Sequence, residues 1–230
     1  MKTMKKRTTM MLVLAAVLAA AFAFAACGSK GDPYEYGDAK SYIENNLKGN
    51  YSITYKFGAS DNGKVTEYDY QKTIKTDKGF YFSSESESAS ELNTSGVLYI
   101  KDGDKYYRYS YDSSAGKFTK DDNYGVDAEY IEDYGYLNMW YMTYYGTWGG
   151  DQMKPAGTEK VAGRTCNKYT YKVSAIVVSL TYSFSIDKET GVCMKYNFKG
   201  SALGSGSGSI AFECTEFLTG SGVTLPAYAA

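Results

Sequence analysis

Leu180-Thr181-Tyr182-Ser183-Phe184-Ser185-Ile186-Asp187, then Lys188-Glu189-Thr190-Gly191, then Val192-Cys193-Met194-Lys195-Tyr196-Asn197-Phe198 decides the fold class of this chain. Apolar and polar residues alternate on both sides of a short polar break that contains glycine. A period of two puts Leu180, Tyr182, Phe184 and Ile186 on one face of a strand, and Val192, Met194, Tyr196 and Phe198 on one face of the next. The break has ordinary hairpin length. The same alternation extends outward in both directions. It places Asn167, Tyr169, Tyr171 and Val173 on one face, Ile210, Phe212, Cys214 and Leu218 on another, and Tyr51, Ile53, Tyr55 and Phe57 on a third. Tyr68, Tyr70 and Ile74 share a face. Phe80 and Phe82 keep that parity beyond a turn at Asp77-Lys78-Gly79. Asp102-Gly103-Asp104 joins Val97–Ile100 to Lys105–Tyr111 as a hairpin, because glycine tolerates positive φ. Its Asp-x-Asp lacks the further ligands of a calcium loop. The polar stretches Ser83–Ser95 and Gly200–Ser209 read as loops.

Two segments depart from period two. Asp38–Leu47 reads as a short amphipathic helix capped by Asp38, with Ala39, Tyr42, Ile43 and Leu47 on one face and Gly49 as its stop. Tyr130, Tyr134, Leu137, Tyr141 and Tyr144 recur at helical spacing, with Met139, Trp140 and Met142 between them. A helix apolar on most sides is buried or covers something apolar. A core helix is the plainer reading. The functional one is an adaptable lid, since Met repacks around varied partners.

Composition narrows the chemistry. The 230 residues include 25 tyrosines and no histidine. Histidine is the usual general base near neutral pH and the commonest metal ligand, so Ser-His-Asp and Cys-His catalysis and most zinc sites are excluded. No carboxylate, lysine or tyrosine spacing points to an enzyme, and no cofactor is expected. Tyrosine favours strands and offers an apolar body with a polar tip, suited to sheet faces or to stacking on a ligand. Basic residues number 25 and acidic residues 26. Four of the basic ones, Lys2, Lys5, Lys6 and Arg7, lie at the N-terminus, which leaves the remainder at about −5, without the basic face of a nucleic-acid binder.

Those four bases precede the uncharged run Met10–Ala26, which ends in Phe24-Ala25-Ala26-Cys27 before polar Gly28-Ser29-Lys30. This is the layout of a secretory leader. The small residues before Cys27 resemble the bacterial lipobox, although Phe24 stands where leucine is usual. That resemblance implies cleavage before Cys27 and acylation of its sulfur, with residues 1–26 as signal peptide, 27–37 as tether and 38–230 as one domain. Two acyl chains anchor stably where one is marginal. A retained membrane helix, which needs ~20 apolar residues, and ordinary cleavage after Ala25 are the alternatives. The resulting expectation is a monomer anchored on the extracytoplasmic face of the cell membrane.

With Cys27 acylated, Cys166, Cys193 and Cys214 remain. Parity puts Cys166 and Cys193 on polar faces and Cys214 on an apolar one, which suggests a Cys166–Cys193 disulfide. Against it, a simple meander leaves the Tyr182 strand between them. Two strand spacings are ~9.6 Å, beyond the ~7 Å reach of a bridge.

The order helix, strands, central helix, strands resembles the LolA/LolB/LppX-like lipoprotein-carrier superfamily. The helix before Tyr51, Val161-Ala162-Gly163 leading into Tyr169, Ile186-Asp187 through Gly191-Val192, and the closing Leu225-Pro226 carry the resemblance. It implies an α+β fold, mainly β, in which a strongly curved antiparallel half-barrel sheet has helices covering its concave face. It also implies a non-enzymatic role, binding or carrying an acyl chain, lipid or lipidated protein in that concavity. The expected ligand-binding set is Tyr68, Tyr70, Tyr107, Tyr109, Trp140, Met142, Tyr182 and Phe184. The alternative is a cell-surface module that binds glycan or protein through aromatic side chains.

Overall fold

Alternating Tyr, Phe, Ile and Thr residues commit the chain to extended backbone, and turn residues fold it into two meanders. A computed structural model describes residues 43, 45–61, 64–86, 92–94, 96–127, 154–176, 178–202 and 206–229. The first meander comprises β1 (Tyr51–Asp61), β2 (Lys64–Thr76), β3 (Gly79–Ser86), β4 (Val97–Asp102), β5 (Lys105–Asp112) and β6 (Lys117–Asp127). The second comprises β7 (Lys154–Val161), β8 (Arg164–Ala175), β9 (Val178–Asp187), β10 (Cys193–Ala202) and β11 (Gly206–Thr219). Antiparallel pairing of β1 with β11 fuses them into one open sheet of eleven strands, ordered β6-β5-β4-β3-β2-β1-β11-β10-β9-β8-β7. The second half curls until β7 touches β11.

The expected α+β class, with helices over the concave face, is overturned. Among the described residues, helix is confined to residues 43, 45 and 46, where the Leu47 amide bonds the Ile43 carbonyl at 2.7 Å. Ile43 and Leu47 are buried against β1 and β8–β11. The expected leader, tether and Tyr130–Tyr145 helix lie outside the described residues. One expected loop is largely strand, since β10 and β11 take up most of Gly200–Ser209, where the Ser60 and Ser209 hydroxyls meet at 2.6 Å; of Ser83–Ser95 only the start is strand, β3 continuing to Ser86.

Directly paired residues share a face of a sheet. One rung runs Tyr169, Phe184, Tyr196, Phe212, Phe57 and then Asp69. On the other face a rung runs Ser52, Ile74, Tyr81, Leu98 and Tyr109. The apolar side therefore changes face between β1 and β2. One core covers the ring-bearing face of β1 and β8–β11, and a second covers the opposite face of β2–β6. On β1, beside this change of face, all five residues from Tyr51 to Tyr55 are buried. Phe80 and Phe82 do not keep the parity of Ile74. The turn is only Asp77-Lys78, so Thr76 pairs Gly79 and Ile74 pairs Tyr81. Gly79 belongs to the strand because a Cβ there would collide with the Tyr99 carbonyl oxygen.

The Leu180–Phe198 hairpin is held by one carboxylate. Asp187 accepts hydrogen bonds from the Thr190 amide at 3.0 Å, the Thr190 hydroxyl at 2.6 Å and the Arg164 guanidinium at 2.8 Å. Its side chain is 1% exposed. Arg164 also reaches Glu189 at 2.7 Å and lies 4.9 Å from the Phe217 ring centre. The hydrogen bond to Asp187 raises the Arg164 guanidinium above its ordinary value.

The Cys166–Cys193 disulfide is not formed: Cys166, Cys193 and Cys214 are free, buried thiols. Cys166 pairs Asp187 and Cys193 pairs Ile186, so β9 separates them. A bulge between Cys193 and Lys195 turns Cys193 onto the face of Ile186, away from the polar face its parity implied. Burial pushes Cys166 up to about 11, and Cys193 and Cys214 to about 12.

Three outcomes follow from this packing. Asp187→Ala strands Arg164 and the Thr190 donors, and should lower unfolding free energy by about 3 kcal/mol in urea titrations. A maleimide should label none of the three thiols until denaturant is added. Unfolded thiols ionise near pH 9.0 while the folded ones stay protonated. The stability from burying them is complete below that pH and is lost as pH rises toward about 12, so the urea midpoint should fall steadily across this alkaline window.

Candidate functional site

Eight aromatic rings from five strands form a continuous array on the face of β1 and β8–β11. Tyr171 stacks on Tyr182 at 5.7 Å, and Tyr182 contacts Phe198 at 4.9 Å and Phe184 at 6.5 Å. Phe184 leads to Tyr196 at 5.3 Å, and Tyr196 stacks on Phe212 at 5.3 Å. Phe212 then meets Phe57 at 5.6 Å and, edge-on, Tyr55 at 5.4 Å. Centroid spacings of 4.5–7 Å are those of favourable aromatic pairs. The array arises because each strand contributes alternate residues and each hairpin aligns them, two rings per strand from β1, β9 and β10.

Its interior and its margin differ. Phe184, Phe198, Phe212 and Tyr55 are buried, whereas Tyr171, Tyr182 and Phe57 are half-buried. Tyr55 donates its hydroxyl to the Cys193 carbonyl at 3.0 Å, and burial holds its phenol well above the ordinary value. Desolvation also raises Tyr182, with Tyr171 adding to the effect. The rung ends at Asp69 and Gln71 on β2, so a polar rim borders the rings there. Among the described residues, no charged side chain interrupts the array, so its chemistry is apolar contact and stacking, with tyrosine hydroxyls as its polar groups.

The expected ligand-binding residues do not gather on this face. Tyr182 and Phe184 belong to it. Tyr68, Tyr70, Tyr107 and Tyr109 lie on the opposite face, through the pairs Gly58–Tyr68, Lys56–Tyr70, Ile100–Tyr107 and Leu98–Tyr109. Tyr68 is 40% exposed, with the Lys56 ammonium 3.9 Å from its ring centre. Tyr107 carries Lys120 at 3.7 Å, and Tyr109 packs against Tyr228 at 5.8 Å. Trp140 and Met142 lie outside the described residues. The members missed were Tyr55, Phe57, Tyr171, Tyr196, Phe198 and Phe212. Their signal was present in the alternation, and strand order is what joins them.

On the opposite face, Lys56, Tyr68, Lys195, Asn197, Lys199 and Glu213 line a polar groove of ≈880 Å³. Lys195 and Glu213 pair across it at 3.0 Å. Among the described residues, no group of three or more Cys, Asp or Glu residues is placed to hold a metal ion.

No protein-family model and no curated protein matches the sequence. Several solved structures are similar to it. LprF from Mycobacterium bovis aligns over 86% of this chain and 100% of its own, at 11% identity and a TM-score of 0.38. The Pseudomonas aeruginosa MucA/MucB complex aligns over 84% of this chain at 12% identity and a TM-score of 0.37, and this chain spans 58% of the matched chain. A LolA superfamily protein from Nitrosomonas europaea aligns over 80% of this chain and 94% of its own, at 10% identity and a TM-score of 0.26. The architecture itself stands on the strand pairing described above.

Proposed function

We propose that this chain is a lipid-anchored, extracytoplasmic protein that binds an acyl chain, lipid or lipidated protein against the aromatic face, without catalysing a reaction. The observation that carries the reading is the unbroken array from Tyr171 to Phe57, with half-buried rings at both ends and no charge within it. Apolar burial contributes ~25 cal/mol per Å². Only the half-buried rings of Tyr171, Tyr182 and Phe57 offer surface to a ligand, and each ~100 Å² of it that is covered contributes about 2.5 kcal/mol before ordering costs, without a charged contact. The leader ending in Ala25-Ala26-Cys27 supports the anchor. The absence of histidine suits burial and release better than acid–base chemistry. A surface module that grips glycan or protein draws instead on exposed Tyr68 beside the polar groove.

Cys27→Ala should move the protein out of the membrane fraction or leave its leader uncleaved; normal processing with full membrane retention contradicts the anchor. The full-length Cys27→Ala chain should release lipid on native extraction and take up a fluorescent fatty acid saturably. Adding Tyr182→Ala should weaken that uptake about ten-fold, the loss of one aromatic contact surface. Adding Tyr68→Ala should not change it. Weakening by Tyr68→Ala alone favours the surface module.

A further inference from the structure

The C-terminal segment walls one side of an open cleft on the face opposite the rings. Gly220, at φ 97°, turns the chain out of β11, and its amide bonds the Asn50 carbonyl at 2.9 Å. The segment from Val223 to Tyr228 then crosses the second core to β6. There the Phe118 amide bonds Ala227 at 2.9 Å and the Ala229 amide bonds Phe118 at 2.8 Å. Between this strap and β1, β2 and β11 lies a cleft of ≈490 Å³, a volume typical of small-molecule sites.

The two ends of the cleft differ chemically. Ile74, Leu218, Val223 and Leu225 form an apolar wall, and Leu218 is 50% exposed at its mouth. Ser52, Lys72, Asn93 and Glu216 form the polar end. The Lys72 ammonium donates to the Asn93 side-chain oxygen at 3.2 Å and lies 3.8 Å from the Glu216 carboxylate, so its charge is already matched. Ser52 is 4% exposed, yet its hydroxyl has no hydrogen-bond partner in the protein. The hydroxyls of Thr76, Ser83 and Thr190, equally buried, are each bonded. A buried polar group left unmatched is costly, and a ligand that bonds it removes the cost. An anionic head would face Glu216, and a cationic one Lys72.

We propose that this cleft binds a single-chain amphiphile with an uncharged, hydroxyl-bearing head, the chemistry of a monoacylglycerol or a fatty alcohol. The head bonds Ser52, and the chain lies along Ile74, Leu218, Val223 and Leu225 beneath the strap. This site is separate from the aromatic face and does not depend on the function proposed there.

Titration calorimetry of the full-length Cys27→Ala protein with monodecanoylglycerol, below its micellar concentration, tests the assignment. One saturating site is expected, with decanoate binding at least ten-fold more weakly. Ser52→Ala should weaken binding roughly five-fold, the equivalent of one hydrogen bond. Leu218→Trp, at an exposed position that needs no core rearrangement, should block the mouth and abolish it. Tyr182→Ala should leave it intact, which separates this site from the ring face. No saturable binding, equal affinity for decanoate, no effect of Ser52→Ala in a protein that melts normally, or loss on Tyr182→Ala with retention in Leu218→Trp each overturns the proposal.

Discussion

Burial of β1 from both sides is the constraint on which the rest depends. Tyr51, Ile53 and Tyr55 face one core while Ser52 and Thr54 face away from it, and all five are buried. An open sheet with one apolar face would leave its other face wet along its whole width. Here each half buries a different face, and β1, paired with β2 on one side and β11 on the other, is the strand at which the two halves meet. Its two partners lie at very different distances along the sequence, β2 next after it and β11 at the far end of the domain. Pairing of this kind is non-local, and folding of such topologies is slow because loop closure precedes the contacts that offset it.

Openness leaves two edges, and each is blunted differently. β7 presents exposed Lys154, Pro155 and Lys160, with an irregular pairing between Pro155 and Thr158. Lysine, proline and bulges are the usual protections of an edge against adding a foreign strand. At β6 the chain supplies its own cover, through the bridge between Phe118 and Tyr228. The strap thus closes a core and occupies part of an edge with the same few residues.

Much of the sheet was legible in the alternation, because period two is a strong signal wherever one face is dry. The Leu180–Phe198 hairpin, the Asp102-Gly103-Asp104 turn and the antiparallel order all follow from it. What was not legible came from single-residue geometry. A two-residue turn at Asp77-Lys78 differs from a three-residue one by a parity inversion, which sends Phe80 away from Ile74. Gly79 looked like part of the turn but is demanded by the closeness of Tyr99. Ser52 and Thr54 are buried, although small hydroxylated residues carry no apolar signature. The bulge before Lys195 reversed the face of Cys193. The aromatic site was half-visible: Tyr182 and Phe184 were recognised, while the assignment of Tyr68 and Tyr70 to the same face failed at the β1–β2 crossing.

The bond from the Gly220 amide to the Asn50 carbonyl joins the entrance of β1 to the exit of β11 at the middle of the sheet. The meanders end instead at its two margins, where the chain leaves at Asp127 and returns at Lys154. A load applied ahead of β1 is therefore delivered to the central seam rather than to a margin that can peel. The same adjacency makes the order of the two meanders along the chain interchangeable. A circular permutant that joins Gly220 to Asn50 and opens between Asp127 and Lys154 would keep every described strand pair while giving up the strap and the buried Ile43 and Leu47.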